Sequence, residues 1–409
     1  MRTPRNVGVV VAGALLLTGC GGPPGDAGRV DQALVAELGP GEAAAVGQAV
    51  DAFGFDLFKK VADGRTNTVT SPLSVAVLLA MLLAGAEGGT ADEIARVLHL
   101  SDPRDVRAGA LLREVADTDD VTLSVANSVW AGGDFPIEED FQAYVRKTFG
   151  ASVERGDLGS ADTAKRIDEW VDDNTNGLIK GIAEELGLPS STVVAVLLNA
   201  VYFLGEWSTP FDPTATQPST FAGAGAVPTM RLTDETFGHV QRDGYRMLRM
   251  PYGEDGRYAM EIMLPDQDSS LPALIGTLDA AEWTAATGSL AERNFDRVTL
   301  PRFELRWKAE LTGVLQQMGI RSAFASGEGF RPMSPAMPAL SKVVHKTYIR
   351  VDEKGTEAAA VTGGAMVLSA PAQEELFLVD RPFAFTVSDR RTGTILFLGA
   401  VTDPAAAAG

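Results

Sequence analysis

One stretch near the C-terminus, residues 355–374, constrains the fold of this 409-residue chain more than any other part of the sequence. It carries no charged side chain between Glu357 and Glu374, and small or modestly apolar residues make up most of it. Connections longer than about 12–15 residues are uncommon inside compact domains, and those that exist are usually functional or disordered. A disordered linker would be richer in charged and polar residues. The composition therefore predicts an exposed loop with a function of its own.

The residues before this loop predict a strand with one buried face. Residues 342–352 alternate in character along the chain, and one side of the alternation holds Val343, His345, Thr347, Ile349 and Val351. Such a period of two is typical of a half-buried strand. Continuing the alternation into the loop places small residues on one face, namely Thr356, Ala358, Ala360, Thr362 and Gly364. A loop that can become a strand can act as a conformational switch.

Two motifs around the loop resemble those of a known family. The hinge of the serpins, the serine protease inhibitors, is similar to Val351-Asp352-Glu353-Lys354-Gly355-Thr356-Glu357-Ala358-Ala359-Ala360. The segment that follows their reactive loop is similar to Arg381-Pro382-Phe383-Ala384-Phe385. The resemblance extends over nearly the whole chain outside its N-terminal segment. It implies an α+β serpin fold with about nine helices, three β-sheets and an exposed reactive loop.

The resemblance also implies a function, suicide inhibition of a serine protease. The protease attacks the loop, and the cleaved loop then inserts into the central sheet while the acyl-enzyme is still intact. Insertion would begin at the hinge, whose residues are Glu353, Gly355, Thr356, Glu357, Ala358, Ala359 and Ala360. Small residues there favour entry between strands. The alternative is a non-inhibitory binding or structural protein with the same fold, whose loop is cleaved without trapping the protease.

The spacing usual in the family places the attacked bond between Ser369 and Ala370. A loop one residue shorter on this side would place it between Leu368 and Ser369. A serine fits the shallow pocket of elastase-like or subtilisin-like proteases, whereas a leucine would fit a chymotrypsin-like one. Because no Arg or Lys lies near the bond, trypsin-like enzymes are poor candidates.

Two buried polar clusters follow from the same resemblance. The shutter, beneath the point where the central sheet parts, would contain Ser71, Ser74, Asn199 and His345. The breach, where the loop enters, would contain Trp207, Arg302 and Glu353. Each cluster has a simpler alternative. In the shutter, the two serines would only cap a helix and the histidine would be a satisfied core residue. In the breach, the tryptophan would only be a core residue, and the arginine and glutamate would form a solvated ion pair.

Several segments predict the elements that carry these residues. We expect a buried helix from Ser71-Pro72-Leu73-Ser74 to Leu83, and strands over residues 121–130 and 192–203. A helix over residues 161–176 would lie across the front of the main sheet, and a strand would begin at Leu300-Pro301-Arg302. Thr90-Ala91-Asp92-Glu93 predicts a capping box that opens a further helix.

The N-terminus predicts export and lipid attachment. Arg2 and Arg5 precede a short apolar run, residues 7–17, that is too short for a permanent membrane-spanning helix. Leu17-Thr18-Gly19-Cys20 resembles the bacterial lipobox, in which the cysteine is acylated; the alternative is a plain signal peptide. We therefore expect a signal over residues 1–20, a flexible tether over 21–42, a serpin domain over 43–404 and a disordered tail over 405–409. The domain would be a monomer anchored outside the bacterial membrane.

Charge and motif content argue against other classes of protein. The net charge of −19 and pI near 4.6 give no basic surface for nucleic acid, and residues 102–120 are too acidic for heparin-like ligands. The sequence contains no hydrolase elbow, Walker loop or zinc-protease motif. His99, His239 and His345 suggest no metal site by their spacing, and Cys20 is the only cysteine. We therefore expect no cofactor, no metal and no catalytic activity.

Overall fold

Nine α-helices have bounds within the part of the chain that the structure describes. This computed structural model describes residues 42–100, 111, 115, 121–325, 329–336, 339–356 and 374–406. The helices are α1 (Glu42–Val61), α2 (Pro72–Ala84), α3 (Gly88–Val97), α4 (Glu139–Phe149), α5 (Ala161–Asn174), α6 (Ile182–Glu185), α7 (Leu271–Thr277), α8 (Ala280–Gly288) and α9 (Thr312–Met318). Among the described helices, none is long and apolar enough to cross a bilayer.

The described residues also form seventeen strands. In chain order they are β1 (Thr68–Thr70), β2 (Thr122–Ala131), β3 (Ser152–Arg155), β4 (Ala195–Glu206), β5 (Gln217–Phe221), β6 (Gly225–Leu232), β7 (Glu235–Arg242), β8 (Tyr245–Tyr252), β9 (Tyr258–Pro265), β10 (Ala291–Phe295), β11 (Arg297–Pro301), β12 (Phe303–Glu310), β13 (Val344–Val351), β14 (Gly355–Thr356), β15 (Leu376–Leu378), β16 (Phe383–Asp389) and β17 (Ile395–Val401).

The strands form two complete sheets and one divided sheet. A seven-stranded sheet has the order β1-β17-β16-β9-β8-β7-β10, and a four-stranded sheet has the order β15-β11-β6-β5. The remaining strands form two separately hydrogen-bonded groups, β14-β4-β2-β3 and β12-β13. The α+β class is confirmed. The third expected sheet is present in two parts, and the gap between those parts matters for function.

The main core lies between these sheets and α2. Every residue of β9, β16 and β17 is buried, as their nearly continuous apolar sequences require of strands covered on both faces. Helix α2 is buried almost all round. Its first turn is capped by Ser71, whose side chain accepts a hydrogen bond from the Ser74 N–H, and Pro72 occupies the first helical position.

Three predicted boundaries are wrong, each because long-range pairing overrides a local pattern. Strand β4 runs three residues later than predicted, since its pairing with β2 extends from Leu204 to Ala195. Helix α5 ends at Asn174 because Asn176 and Gly177 adopt left-handed backbone conformations. Leu300 and Pro301 close β11 instead of opening a strand.

The predicted capping box is also wrong. Helix α3 begins at Gly88, so Thr90 lies inside its first turn and is buried. The carboxylate of Glu93 accepts hydrogen bonds from the backbone N–H groups of Arg321, at 2.8 Å, and Ser322, at 2.7 Å. A distant turn thus uses the side chain that the local pattern assigned to the helix start.

Candidate functional site

The gap in the divided sheet is a slot between β4 and β13. Among the described residues, no backbone ladder joins these two strands. A cavity occupies the slot, and its walls include residues 197–200 of β4, residues 344–346 at the start of β13 and the preceding Val343. Backbone edges without strand partners are ready to bind another strand. The two edges that face the slot could therefore pair with an extended segment placed between them.

Strand β14 already occupies the first positions at one end of the slot. Gly355 and Thr356 pair antiparallel with Glu206 and Gly205 of β4, and Gly355 also bridges Asp352 next to β13. The chain thus leaves β13, reverses, and enters the gap between β13 and β4. Gly355 has a φ of +148°, and a Cβ on it would overlap the carbonyl oxygen of Gly205. Only glycine fits this close approach.

Extending the pairing of β14 down the slot shows which residues would flank an added strand. Because the pairing is antiparallel on both sides, each residue added to β14 would lie opposite a residue one position earlier in β4 and one position earlier in β13. Asn199 and His345 then lie in the same row of the sheet, separated by one strand position. Both residues line the cavity, together with Ser74 of α2.

The predicted shutter residues lie around this row but form two separate hydrogen-bond groups. The Ser71 N–H donates to Nε2 of His345 at 3.0 Å, and the Ser71 side chain accepts from the Ser74 N–H at 3.2 Å. On the other side of the slot, Asn199 Nδ2 donates to Asn127 Oδ1 at 2.8 Å. Asn199 Oδ1 is buried and has no hydrogen-bond partner in the described structure. Sequence reasoning missed Asn127, which pairs directly with Asn199 on β2.

His345 is neutral in this environment. It is fully enclosed, and burial lowers its pKa to about 4 because a charged imidazolium would lose its hydration. Its Nε2 accepts the Ser71 hydrogen bond, which assigns the proton to Nδ1. Trp307 of β12 makes an edge contact with the ring, with centroids 6.1 Å apart.

The predicted breach residues converge at the end of the slot where β14 lies. Glu353 is 4% exposed, and Arg302 Nε donates to its carboxylate at 2.6 Å. The hydroxyl of Thr216, which sequence reasoning missed, donates to the same oxygen. Burial alone would raise the pKa of Glu353, but the hydrogen bonds from Arg302 and Thr216, a backbone hydrogen bond and the charge of Arg302 together hold the pKa below its ordinary value. Glu353 is therefore a paired, ionised carboxylate at the first position of the predicted hinge.

Trp207 holds the turn into β14 from the other side. Its backbone N–H donates to the carbonyl of Lys354 at 2.7 Å, and its indole N–H donates to the carbonyl of Asp352 at 2.9 Å. The indole stacks on Tyr252 with ring centroids 4.4 Å apart. The hydroxyl of Tyr252 lies 3.0 Å from Thr356 Oγ1, which ties the buried hinge threonine to β8.

The chain returns from the loop at β15. Leu376 to Leu378 pair parallel with β11, and ion pairs join Glu375 to Arg293 at 2.5 Å and Glu374 to Arg297 at 3.1 Å. The predicted hinge residues Glu357, Ala358, Ala359 and Ala360 and the reactive-bond residues Leu368, Ser369 and Ala370 lie outside the described residues. Described structure thus fixes both ends of the predicted loop.

Within the described ranges, no group of His, Cys, Asp and Glu residues is arranged to hold a metal ion. The three histidines lie apart: His99 pairs with Asp56 at the surface, His239 packs between Phe295 and Phe377, and His345 lines the slot. Cys20, the predicted lipidation site, lies outside the described residues.

The same fold is found in known protease inhibitors. A family model described as serpin (serine protease inhibitor) matches residues 48–404. An uncharacterised serpin-like protein of Thermococcus kodakarensis is 34% identical over 380 residues, which span 90% of this chain and 88% of that protein. The leukocyte elastase inhibitor of Sus scrofa is 32% identical over 374 residues, which span 86% of this chain and 97% of that protein.

Solved structures agree with the sequence comparisons. The crystal structure of Serpin48, a highly specific serpin of the insect Tenebrio molitor, superposes with a TM-score of 0.75 and 29% identity. The superposed region spans 87% of this chain and 97% of the Serpin48 chain. The chain therefore belongs to the serpin family, whose members are generally protease inhibitors rather than enzymes.

Proposed function

We propose that this serpin inhibits serine proteases as a suicide substrate, with elastase-like or subtilisin-like enzymes as its targets. The observation that carries the proposal is the slot between β4 and β13, whose first positions β14 already occupies. The chain at this point needs no catalytic group of its own, because the attacking protease supplies the chemistry.

In the first step, the serine Oγ of the protease attacks the carbonyl carbon of the loop bond. An ester C–O bond forms and the peptide C–N bond breaks, while the histidine of the protease passes the serine proton to the leaving amine. We place this bond between Ser369 and Ala370, with Leu368 to Ser369 as the alternative. Similarity to a relative named as a leukocyte elastase inhibitor supports an elastase-like target.

In the second step, the cleaved loop continues β14 down the slot. The pairing of β14 would bring Thr362 into the row of Asn199 and His345. The Thr362 hydroxyl could then donate to Asn199 Oδ1, the buried acceptor without a partner. The added strand would also satisfy the facing backbone edges of β4 and β13. The native form is thus a kinetically trapped state of higher free energy.

In the third step, insertion would carry the attached protease along the sheet. At about 3.3 Å per residue, some 15 inserted residues would move the protease by about 50 Å. The pull on the ester would distort the catalytic triad, which requires its geometry for deacylation. Hydrolysis would stop and the covalent complex would persist.

A gel experiment tests this proposal. The protein without residues 1–20 would be mixed with an elastase-like and a subtilisin-like protease, and the products analysed by denaturing gels and mass spectrometry. We expect a covalent complex that survives denaturation, with cleavage after Ser369 or Leu368. Clean cleavage with full protease activity and no complex would instead favour a non-inhibitory binding or structural role.

We also propose that the domain is a monomer on the outer face of a bacterial membrane, anchored by a lipid on Cys20. The lipobox-like Leu17-Thr18-Gly19-Cys20 supports this location. The test is incorporation of labelled fatty acid in a bacterial host. A Cys20→Ser variant should lose the label and leave the membrane fraction, and equal labelling of both proteins would refute the anchor.

A further inference from the structure

Strand β15, which receives the chain after the predicted loop, is short and lies at the edge of a sheet. It has three residues, and its backbone pairs with β11 at one end of the four-stranded sheet. Backbone pairing therefore holds β15 on one side. Side-chain contacts with the seven-stranded sheet add to this attachment.

Phe377, the central residue of β15, makes these contacts. Its side chain is fully buried. Its ring centroid lies 6.2 Å from that of His239 of β7 and 6.1 Å from that of Phe295 of β10. His239 and Phe295 also contact each other, with centroids 5.4 Å apart. These three rings join β15 to the seven-stranded sheet, and we refer to them as the anchor of β15.

A cation lies beside the anchor. The guanidinium of Arg246 of β8 lies over the Phe377 ring, 4.7 Å from its centroid, and Arg246 Nη1 donates to the carbonyl of Leu376 at 2.8 Å. An arginine keeps its charge in a protein, so both contacts persist as the pH changes. They stabilise β15, but they also place a fixed positive charge close to His239.

His239 is the titratable member of the anchor. It is buried, and the charged groups that act on it are Arg293 of β10, Arg246 of β8 and Glu375, the residue before β15. Glu375 is itself paired with Arg293 at 2.5 Å. Burial is the main cause that lowers the pKa of His239 to about 4, and the two arginines add to it. His239 is therefore an uncharged ring at neutral pH.

We infer that His239 is a positioning residue for the distal end of the predicted loop: its uncharged ring holds Phe377, and its protonation releases β15 from the seven-stranded sheet. A charged His239 would be a second cation close to Phe377 and Arg246, and it would lack its hydration. Release of β15 would relieve both penalties. Strand β7 would stay in place, because backbone ladders with β8 and β10 hold it. The effect on inhibition rests on the proposed function; the release of β15 does not.

The difference in proton affinity sets the direction and size of the effect. In the released state, His239 would regain water and its ordinary pKa near 6.5. As the pH falls from about 6.5 to about 4, the released state binds more protons than the attached state, so acid favours release. With full rehydration of His239, the equilibrium constant for release should be about 30-fold larger at pH 5 than at pH 7.5.

Amide hydrogen exchange of the free protein tests the anchor without any protease. Exchange of residues 376–379 would be measured at pH 5 and pH 7.5 and corrected for the intrinsic rate at each pH. In the wild type we expect the corrected exchange of β15 to be about 10- to 30-fold faster at pH 5, with a much smaller change in residues 236–240 of β7. An equal change in β7 and β15 would indicate general loosening of the fold and would overturn the inference.

Two variants without a titratable side chain separate this effect from other effects of acid. His239→Leu and His239→Gln keep a side chain of similar size, and both should lose the acid-dependent increase in β15 exchange. The matched control is His345→Gln, which removes the other buried histidine and leaves the anchor intact, so it should retain the increase. An acid response in the His239 variants equal to that of the wild type would refute the role of His239.

An acid pulse then tests the effect on the loop. The wild type and His239→Leu would be held at pH 5, returned to pH 7.5 and mixed with an elastase-like protease. We expect the wild type to lose more of its capacity to form the covalent complex, because a free distal end lets the uncut loop shift before a protease arrives. Equal losses in both proteins would show that β15 does not position the loop. If no sample forms a complex even without the pulse, the proposed function fails, and the exchange results still decide the anchor.

Discussion

Asn199 of β4 and His345 of β13 line the same cavity from opposite sides of the slot, and continuing the pairing of β14 puts both in one row with one strand position between them. Each is hydrogen-bonded on its own side, Asn199 to Asn127 and His345 to Ser71. The hydrogen bonds of these two side chains therefore do not cross the slot. Asn199 Oδ1 has no hydrogen-bond partner and remains available to an incoming donor.

Asn199→Ala should weaken the inserted form more than the native form. In the native protein the change removes one hydrogen bond, worth about 1 kcal/mol, but also removes a buried acceptor without a partner. In the loop-cleaved protein the same change would also remove the acceptor of the proposed hydrogen bond from Thr362 of the inserted strand. In thermal melting, the difference in Tm between the loop-cleaved and native forms should be smaller for Asn199→Ala than for the wild type. A gap of unchanged size would show that Asn199 does not contact the inserted strand.

Gly355→Ala should destabilise the native protein by about 1–3 kcal/mol, since alanine is strained at positive φ and its Cβ would overlap the Gly205 carbonyl. Denaturant unfolding would measure the loss. The control is Gly276→Ala in α7, where a Cβ meets open space; that change should be neutral or stabilise by up to about 1 kcal/mol. Similar stabilities for the two variants would contradict the close approach of β14.

Arg302→Met should destabilise the protein by about 1–3 kcal/mol, because it leaves the buried Glu353 carboxylate without its charged partner. The value lies below that of a fully buried pair because Arg302 is 44% exposed. Adding Glu353→Gln should recover part of the loss. Arg293→Met, which breaks an exposed pair with Glu375, should cost less than about 1 kcal/mol. Equal losses of stability in Arg302→Met and Arg293→Met would mean that the burial of Glu353 does not increase the cost of removing its partner.

Stability should fall as the pH drops from about 6.5 to about 4. In this window the unfolded chain protonates His345 while the native protein keeps it neutral, so the unfolded state binds more protons. The shift corresponds to roughly 3 kcal/mol, fully present above pH 6.5 and lost towards pH 4. His239 acts in the same direction, because burial and nearby arginines also lower its pKa to about 4.

The pH profile of a His345→Gln variant would isolate the contribution of the slot. Its denaturation midpoint should depend less on pH between 4 and 6.5 than that of the wild type, and the remaining dependence should shrink again when His239 is also replaced. An unchanged slope in His345→Gln would show that His345 is not buried neutral.

Local sequence patterns predicted much of the scaffold. The alternation along residues 343–351 correctly placed Val343, His345, Thr347, Ile349 and Val351 on a buried face. Ser71 is a helix cap, as its simpler interpretation required, and its backbone also donates to His345. These features depend on neighbours a few residues away, where a sequence pattern is most informative.

The parts that sequence could not provide depend on distant pairing. Asn127 is an unremarkable polar residue until the pairing of β2 with β4 puts it opposite Asn199. Thr216 reaches Glu353 only because a separate turn folds over the hinge. Lys308 and Lys346 have the pattern of solvated charges on half-exposed strands. Their partners, the Glu185 carboxylate and the Gly181 carbonyl, belong to a segment more than a hundred residues earlier.

Amide hydrogen exchange before and after loop cleavage tests the central claim most directly. The loop would be cut by a protease that is not trapped, and exchange compared in residues 197–200 of β4 and 344–346 of β13, together with the Tm. Insertion predicts strong new protection at both edges of the slot and a higher Tm for the cleaved protein. Unchanged exchange and an unchanged Tm after complete cleavage would show that the slot does not accept the loop.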